Sequence, residues 1–183
     1  SGDLPIPARR PPAPAKSAAK RVIVLDPGHG GKDPGASKNG IREKDITLAS
    51  AKELKAALEA TGRYEVHLTR SNDTYIKLRD RYEIGRKINA DLFISMHADA
   101  HSKASARGAS VYTLSDAASD KEAAALAQRE NKSDIIAGVG ATDKSDVLLN
   151  ILLDLAQRET LNSSAQAAEI ISEELSKTWV TKE

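Results

Sequence analysis

The chain has 183 residues, 40% of them hydrophobic, which is enough for one domain with a real core; 27 Lys and Arg against 26 Asp and Glu leave no overall field that would favour nucleic acid or an anionic membrane. There is no cysteine, which excludes a disulfide framework and any thiolate metal site, so a metal here would be held by histidine and carboxylate. No apolar run approaches the roughly 18 residues of a membrane span, and no signal peptide is recognisable.

Residues 1–20 are rich in proline and alanine with a few basic side chains. That composition favours extended polyproline and cannot bury a core, so the segment is read as a linker to an upstream domain. The next stretch, Arg21-Val22-Ile23-Val24-Leu25-Asp26-Pro27-Gly28-His29-Gly30-Gly31, predicts a short buried strand that a Pro-Gly break stops, lifting His29 into a glycine-bounded turn. In an open α/β sheet, ligands bind outside the carboxyl ends of the strands, so a histidine there is placed for chemistry. The same pattern also fits an exposed turn whose glycines only supply positive φ. Residues 32–42 read as a surface loop, and a helix follows with Glu43 at its start, Ile46, Ala49, Leu54, Ala57 and Leu58 on one face and Gly62 just past its end.

Residues 64–69 alternate and predict a second strand, in which His67 is a half-buried residue without a role. Residues 78–89 predict a second helix with Leu78, Tyr82, Ile84 and Ile88 inward. Residues 91–99 repeat the opening pattern, since an apolar strand again runs straight into a histidine, His97. The β-α-β-α-β order predicts an α/β fold with a mostly parallel twisted sheet flanked by helices, and it brings His29 and His97 to one edge if the first and third strands are neighbours. A fourth strand is expected over residues 109–114. Beyond Ser115 the chain reads as helical: residues 119–131, a stripe of Val147, Leu148, Ile151, Leu152 and Leu155 after a Gly138-Val139-Gly140 break, and residues 163–177 with Ile170, Ile171 and Leu175 inward.

A catalytic zinc site uses three nitrogen or oxygen ligands plus a water, and His29, Glu43 and His97 are the candidates. An acid in a first helical turn also serves the helix dipole, so spacing alone leaves Glu43 open between the two roles. Asp26 and Asp99 are candidate partners for an imidazole N–H, or solvated loop carboxylates. His101 reads as exposed. A phosphate or nucleotide site is disfavoured, because neither G-x-x-x-x-G-K-[ST] nor G-x-G-x-x-G occurs.

DPGHGG, then IREKD at the start of a helix, then ADLFISMHADA together resemble the amidase_3 family of zinc-dependent N-acetylmuramoyl-L-alanine amidases, across about residues 21–179. The resemblance implies one zinc ion per chain on His29, Glu43 and His97. It implies cleavage of the amide between N-acetylmuramic acid and L-alanine in peptidoglycan, and a periplasmic location. It also implies a further C-terminal strand ending in a catalytic Glu; nothing like it occurs before Glu183, so that residue is expected beyond Glu183. On this reading residues 21–183 are an amidase catalytic domain. The alternative is a non-catalytic cell-wall binding module.

Division-associated members of the resembled family carry a helical insert whose Glu fills the open zinc position until a LytM-type activator protein displaces it. The resemblance places that regulatory insertion at residues 117–155, with Glu130 as the zinc-blocking residue. Residues 121–134 are Ala-rich and weakly amphipathic, as a reversibly docked helix would be.

Overall fold

The computed structural model describes residues 19–98, 107–113, 128, 132 and 158–178. Along the chain these form β1 (Arg21–Pro27), β2 (Ser37–Lys38), β3 (Ile41–Arg42), α1 (Glu43–Ala60), β4 (Tyr64–Leu68), α2 (Leu78–Lys87), β5 (Leu92–Met96) and α3 (Arg158–Ser176). No helix among the described residues is long and apolar enough to cross a membrane.

Three strands make a parallel sheet of order β4-β1-β5, as the strand-helix alternation predicts. β1 is central because Ile23, Val24 and Leu25 offer no polar side to water; from Ile23 to Pro27 every residue is buried. Pro27 is in register with Met96, and the Gly28 N–H donates to the Met96 carbonyl at 2.9 Å. The residues that follow the two strands, His29 and His97, therefore emerge at the same carboxyl edge.

One face of the sheet carries the core, where Ile23, Leu25 and Val66 close over Ala51 of α1, with Leu54, Leu58, Ile94 and Met96 packed around them. Each fully buried aliphatic side chain there contributes about 1.5–3 kcal/mol. The buried stripe of α1 runs Glu43, Thr47, Ala51, then Leu54 and Leu58. The expected stripe is displaced: Ile46 is 41% exposed, and Ala49 and Ala57 also face water. Glu43, Lys44, Thr47 and Ala51 turn inward together, and that phase leaves Ile46, Ala49 and Ala57 on the flank of the helix.

α2 covers the other face, and its fully buried positions are Arg81 and Gly85; Leu78, Tyr82, Ile84 and Ile88 are only half-buried. Gly85 lies against Phe93 and Val24, close enough that a Cβ would sit 3.1 Å from Phe93 Cδ2. The helix approaches the sheet there because it has no side chain in the way.

Residues 32–42 are more ordered than a surface loop. β2 and β3 form an antiparallel hairpin whose two turn residues, Asn39 and Gly40, have φ of 53° and 78°. Positive φ at both central positions is what a tight hairpin turn matching strand twist requires. The fourth strand is not formed among the described residues 107–113, where Ala109 makes a single bridge. α3 starts earlier than expected, and Ile170 is 63% exposed; Ala167, Ala168, Ile171 and Leu175 form its half-buried stripe. Residues 1–18, the expected helix over 119–131 apart from residue 128, the 138–140 break, the 147–155 stripe, Leu114, Asp99, His101 and Glu130 lie outside the described residues.

Candidate metal centre

His29 is held in the left-handed region at φ 61°, where a non-glycine residue costs on the order of 1–3 kcal/mol unless its surroundings fix it. His97 follows β5 directly. Glu43 is the first residue of α1, delivered by the hairpin before it. Arg42 gives that helix no side-chain cap. Instead the loop caps it, with the Glu43 N–H donating to the Ala36 carbonyl at 2.8 Å and the Lys44 N–H to the Pro34 carbonyl at 3.1 Å. The Ala36 N–H returns a 2.8 Å bond to Glu43 Oε2, so the carboxylate and its own backbone are tied to one residue.

These three side chains converge. His29 Nε2 lies 3.2 Å from Glu43 Oε2, and His97 Nδ1 lies 3.2 Å from Glu43 Oε1, which also accepts the Ala98 N–H at 2.8 Å. The two imidazoles meet edge to face, with centroids 5.0 Å apart and planes at 87°. One ligand atom from each residue falls within 4.8 Å of the others. On the far side of the His29 ring, Nδ1 donates to Asp33 Oδ2 at 2.8 Å, which directs Nε2 toward Glu43. The side chains of His29 and Glu43 are 8% and 3% exposed and that of His97 is 25% exposed, so the cluster opens on the His97 side.

The charges respond to this crowding. Burial alone would lower the His29 pKa, but hydrogen bonds to Glu43 and Asp33 outweigh it and raise the pKa from 6.5 to about 9. Burial alone would raise that of Glu43, but hydrogen bonds from His29, His97 and the Ala36 and Ala98 amides hold it far below the usual carboxylate range. A buried carboxylate pinned between two imidazoles is a site that a cation would complete. Two histidines and one carboxylate are also the donor set of one class of catalytic zinc site, and the Asp33 bond to Nδ1 supplies the partner such a histidine ligand usually has. The donors fit a zinc ion.

Asp26 does not orient an imidazole directly. Its carboxylate accepts from Thr69 Oγ1 at 2.5 Å, Ser95 Oγ at 2.8 Å and Arg81 Nη1 at 3.0 Å, and it reaches His97 only through Ser95, whose Oγ is 3.4 Å from Nε2. A buried arginine takes the carboxylate because an uncompensated buried charge is the costlier alternative. Asp33 holds the place expected of Asp26; its position four residues after His29 was the one available signal. Lys44 is a further buried charge beside the site: its ammonium donates to the Gly31 carbonyl and to Asp73 Oδ2, both at 2.7 Å. Nothing in the spacing of Lys44, Arg70 or Arg81 marks them.

Residues 23–182 match the sequence profile of Amidase_3, N-acetylmuramoyl-L-alanine amidase. The chain belongs to this family. Its Amidase_3 relatives include the N-acetylmuramoyl-L-alanine amidase AmiA of Escherichia coli K12, 49% identical over 155 residues that cover 84% of this chain and 53% of that protein. AmiC of Neisseria meningitidis serogroup B is 42% identical over 166 residues, covering 90% of this chain and 39% of that protein. Among solved structures, the N-acetylmuramoyl-L-alanine amidase AmiC2 of Nostoc punctiforme is 38% identical, with a TM-score of 0.46 over 50% of this chain and 52% of that one. The chain thus spans about half, or less, of the length of the curated Amidase_3 relatives it matches.

Proposed function

We propose that this chain forms the catalytic part of a zinc-dependent amidase that hydrolyses the bond between N-acetylmuramic acid and L-alanine in peptidoglycan. The observation that carries this reading is the convergence of His29, Glu43 and His97, from two strand ends and one helix start, within 4.8 Å in a member of this family. In this proposal one zinc ion per chain is held by His29 Nε2, a Glu43 oxygen and His97 Nδ1. When bound, it would acidify a water and polarise the amide carbonyl. The chain's own residues do the rest of the positioning. Asp33 fixes the His29 ring, the Ala36 and Ala98 amides fix the Glu43 carboxylate, and in this reading the muramoyl amide enters on the side where the His97 side chain is 25% exposed.

The test is metal content together with release of stem peptides from purified peptidoglycan. The purified protein should hold one equivalent of zinc, and His29→Ala and His97→Ala should each lose it. A protein that binds peptidoglycan but takes up no zinc would be a cell-wall binding module instead. Location in the periplasm and a role in septal wall splitting belong to the same proposal, as do a linker over residues 1–20 and a catalytic domain over residues 21–183.

Autoinhibition is proposed as well: residues 117–155 form a helical insert, Glu130 blocks the zinc, and a LytM-domain activator displaces it. The support is the family resemblance and the weak amphipathy of residues 121–134. An anionic oxygen on the zinc would exclude both water and the substrate carbonyl. In a protein that also carries the C-terminal Glu the resemblance implies, Glu130→Ala should then cleave peptidoglycan without an activator while Glu122→Ala stays latent. A Glu130→Ala protein that binds zinc and remains latent sinks the assignment.

A further inference from the structure

Behind the turn that carries His29 lie two arginines, Arg70 just after β4 and Arg81 on α2, each only 3% exposed. Arg81 donates from Nη1 to the Pro27 carbonyl at 2.9 Å and to Asp26 Oδ1 at 3.0 Å, and from Nη2 to the His29 carbonyl at 2.7 Å. Its Nε donates to the Ile76 carbonyl at 2.8 Å. Arg70 donates from Nε to the Pro27 carbonyl at 2.9 Å and from Nη2 to the Gly28 carbonyl at 2.8 Å. The same Nη2 reaches the Lys44 carbonyl at 2.9 Å and Thr47 Oγ1 at 3.1 Å. Three successive carbonyls, those of Pro27, Gly28 and His29, are therefore taken up by two buried guanidiniums.

The consequence falls on His29. Its φ and ψ are set by the orientations of the peptide planes on either side of its Cα, and those planes end in the Gly28 and His29 carbonyls. Arg70 holds the first and Arg81 the second. A left-handed φ of 61° is disfavoured for histidine in a free chain, so it must be imposed by the surroundings, and these bonds impose it. Arg70 does a second thing by reaching the Lys44 carbonyl in the first turn of α1. One planar group thereby ties the turn that carries His29 to the helix that begins with Glu43. A lysine ammonium, with one nitrogen, could not span these acceptors in the geometry of the guanidinium fork.

We propose that Arg70 and Arg81 are positioning residues of the metal centre, which act through the backbone to aim His29 and to set its place relative to Glu43. The proposal rests on the zinc reading above for its functional meaning, and it carries a consequence for the metal-free protein that does not depend on that reading. The Gly30 N–H donates to the Asp33 carbonyl at 2.9 Å and the Asp33 N–H to the Gly30 carbonyl at 3.1 Å, so these two amides report whether the turn is closed.

The experiment uses Arg70→Lys and Arg81→Lys, which keep the buried charge. Zinc affinity is measured by competition with a chromophoric chelator, and amide exchange at Gly30 and Asp33 is measured in the metal-free protein. Each variant is expected to lose about 10- to 100-fold in zinc affinity, the range seen when groups that orient metal ligands are changed. Exchange at the two amides should speed up by at least about tenfold. A folded variant with parental affinity and parental exchange overturns the proposal. So does failure of both variants to fold, which would make the arginines general supports of the structure. If exchange rises as expected but the parent itself takes up no zinc, the clamp stands and the zinc reading falls.

Discussion

His29 Nδ1 and Asp33 Oδ2 are joined by a 2.8 Å hydrogen bond at a depth where the Asp33 side chain is 1% exposed. Asp33 Oδ1 also accepts the Gly35 N–H at 3.1 Å, so the carboxylate is itself fixed by the turn it closes. An acceptor on Nδ1 sets the ring's orientation and raises the basicity of Nε2. Asp33→Asn keeps the size and weakens the acceptor, and zinc affinity should fall about 10- to 100-fold with the fold intact. Chelator competition on protein with a parental far-ultraviolet spectrum measures this; undiminished affinity would mean that Asp33 does not orient the ring.

Asp26 is expected to serve stability rather than the metal. It faces Arg81, with both side chains almost fully buried at 6% and 3% exposure. Removing one partner of a buried ion pair typically costs about 3–5 kcal/mol, because the other charge is left uncompensated. Asp26→Asn should therefore lower the unfolding free energy by an amount on that order while zinc uptake stays at one equivalent. A variant as stable as the parent, or one that loses its zinc, would reverse the division of labour between Asp26 and Asp33.

The three residues that converge were legible because each sits at a place where local pattern changes. His29 and His97 end runs of strand-forming residues, and Glu43 opens an apolar helix. The phase of that helix was not legible, since Ile46 looks like a better core residue than Thr47, yet Glu43, Lys44 and Thr47 all turn inward; Thr47 then donates to the Gly28 carbonyl at 3.0 Å. Asn39-Gly40 between short polar stretches does carry a hairpin signal, but residues 32–42 hold too few apolar positions to advertise strands. Arg70 and Arg81 were invisible for another reason. Their partners are mainly backbone carbonyls, which every residue possesses, so no spacing rule links them to the turn they hold.

Metal uptake should be coupled to proton release. In the metal-free protein the His29 pKa is raised from 6.5 to about 9, so below about 9 the ring carries a proton that must leave before Nε2 can ligate. The same shift stabilises the metal-free fold: that contribution is fully present below 6.5 and is lost as pH rises through about 9. Glu43 has the opposite sign, contributing above its ordinary value of 4.5 and losing that contribution only far into acid. Zinc affinity is thus expected to rise by about tenfold per pH unit between 7 and 9 and then level off. Calorimetry in buffers of different ionisation enthalpy, at pH 7.5, should show about one proton released per zinc from this group. Release of none would mean that His29 is already neutral there.

Gly35 gives the sharpest test of how tightly the centre is built. It has φ +64°, and a Cβ at that position would lie 2.6 Å from His29 Cδ2 and 2.7 Å from both Cβ and Oε2 of Glu43. Gly40 has a similar φ of +78°, and a Cβ there would meet nothing within 4 Å. The two glycines therefore separate backbone strain from steric exclusion. Alanine at either one should cost about 1–2 kcal/mol of stability for the left-handed conformation. Only Gly35→Ala also pushes a methyl group between the His29 ring and the Glu43 carboxylate, so only it should weaken zinc binding, by more than about tenfold if the loss matches that of other disturbances to ligand orientation. Thermal melts of the metal-free proteins and chelator competition read the two effects independently. Equal losses of zinc affinity in both variants would show that the turn yields as a whole; no loss in either would show that His29 and Glu43 have room to part around the added methyl.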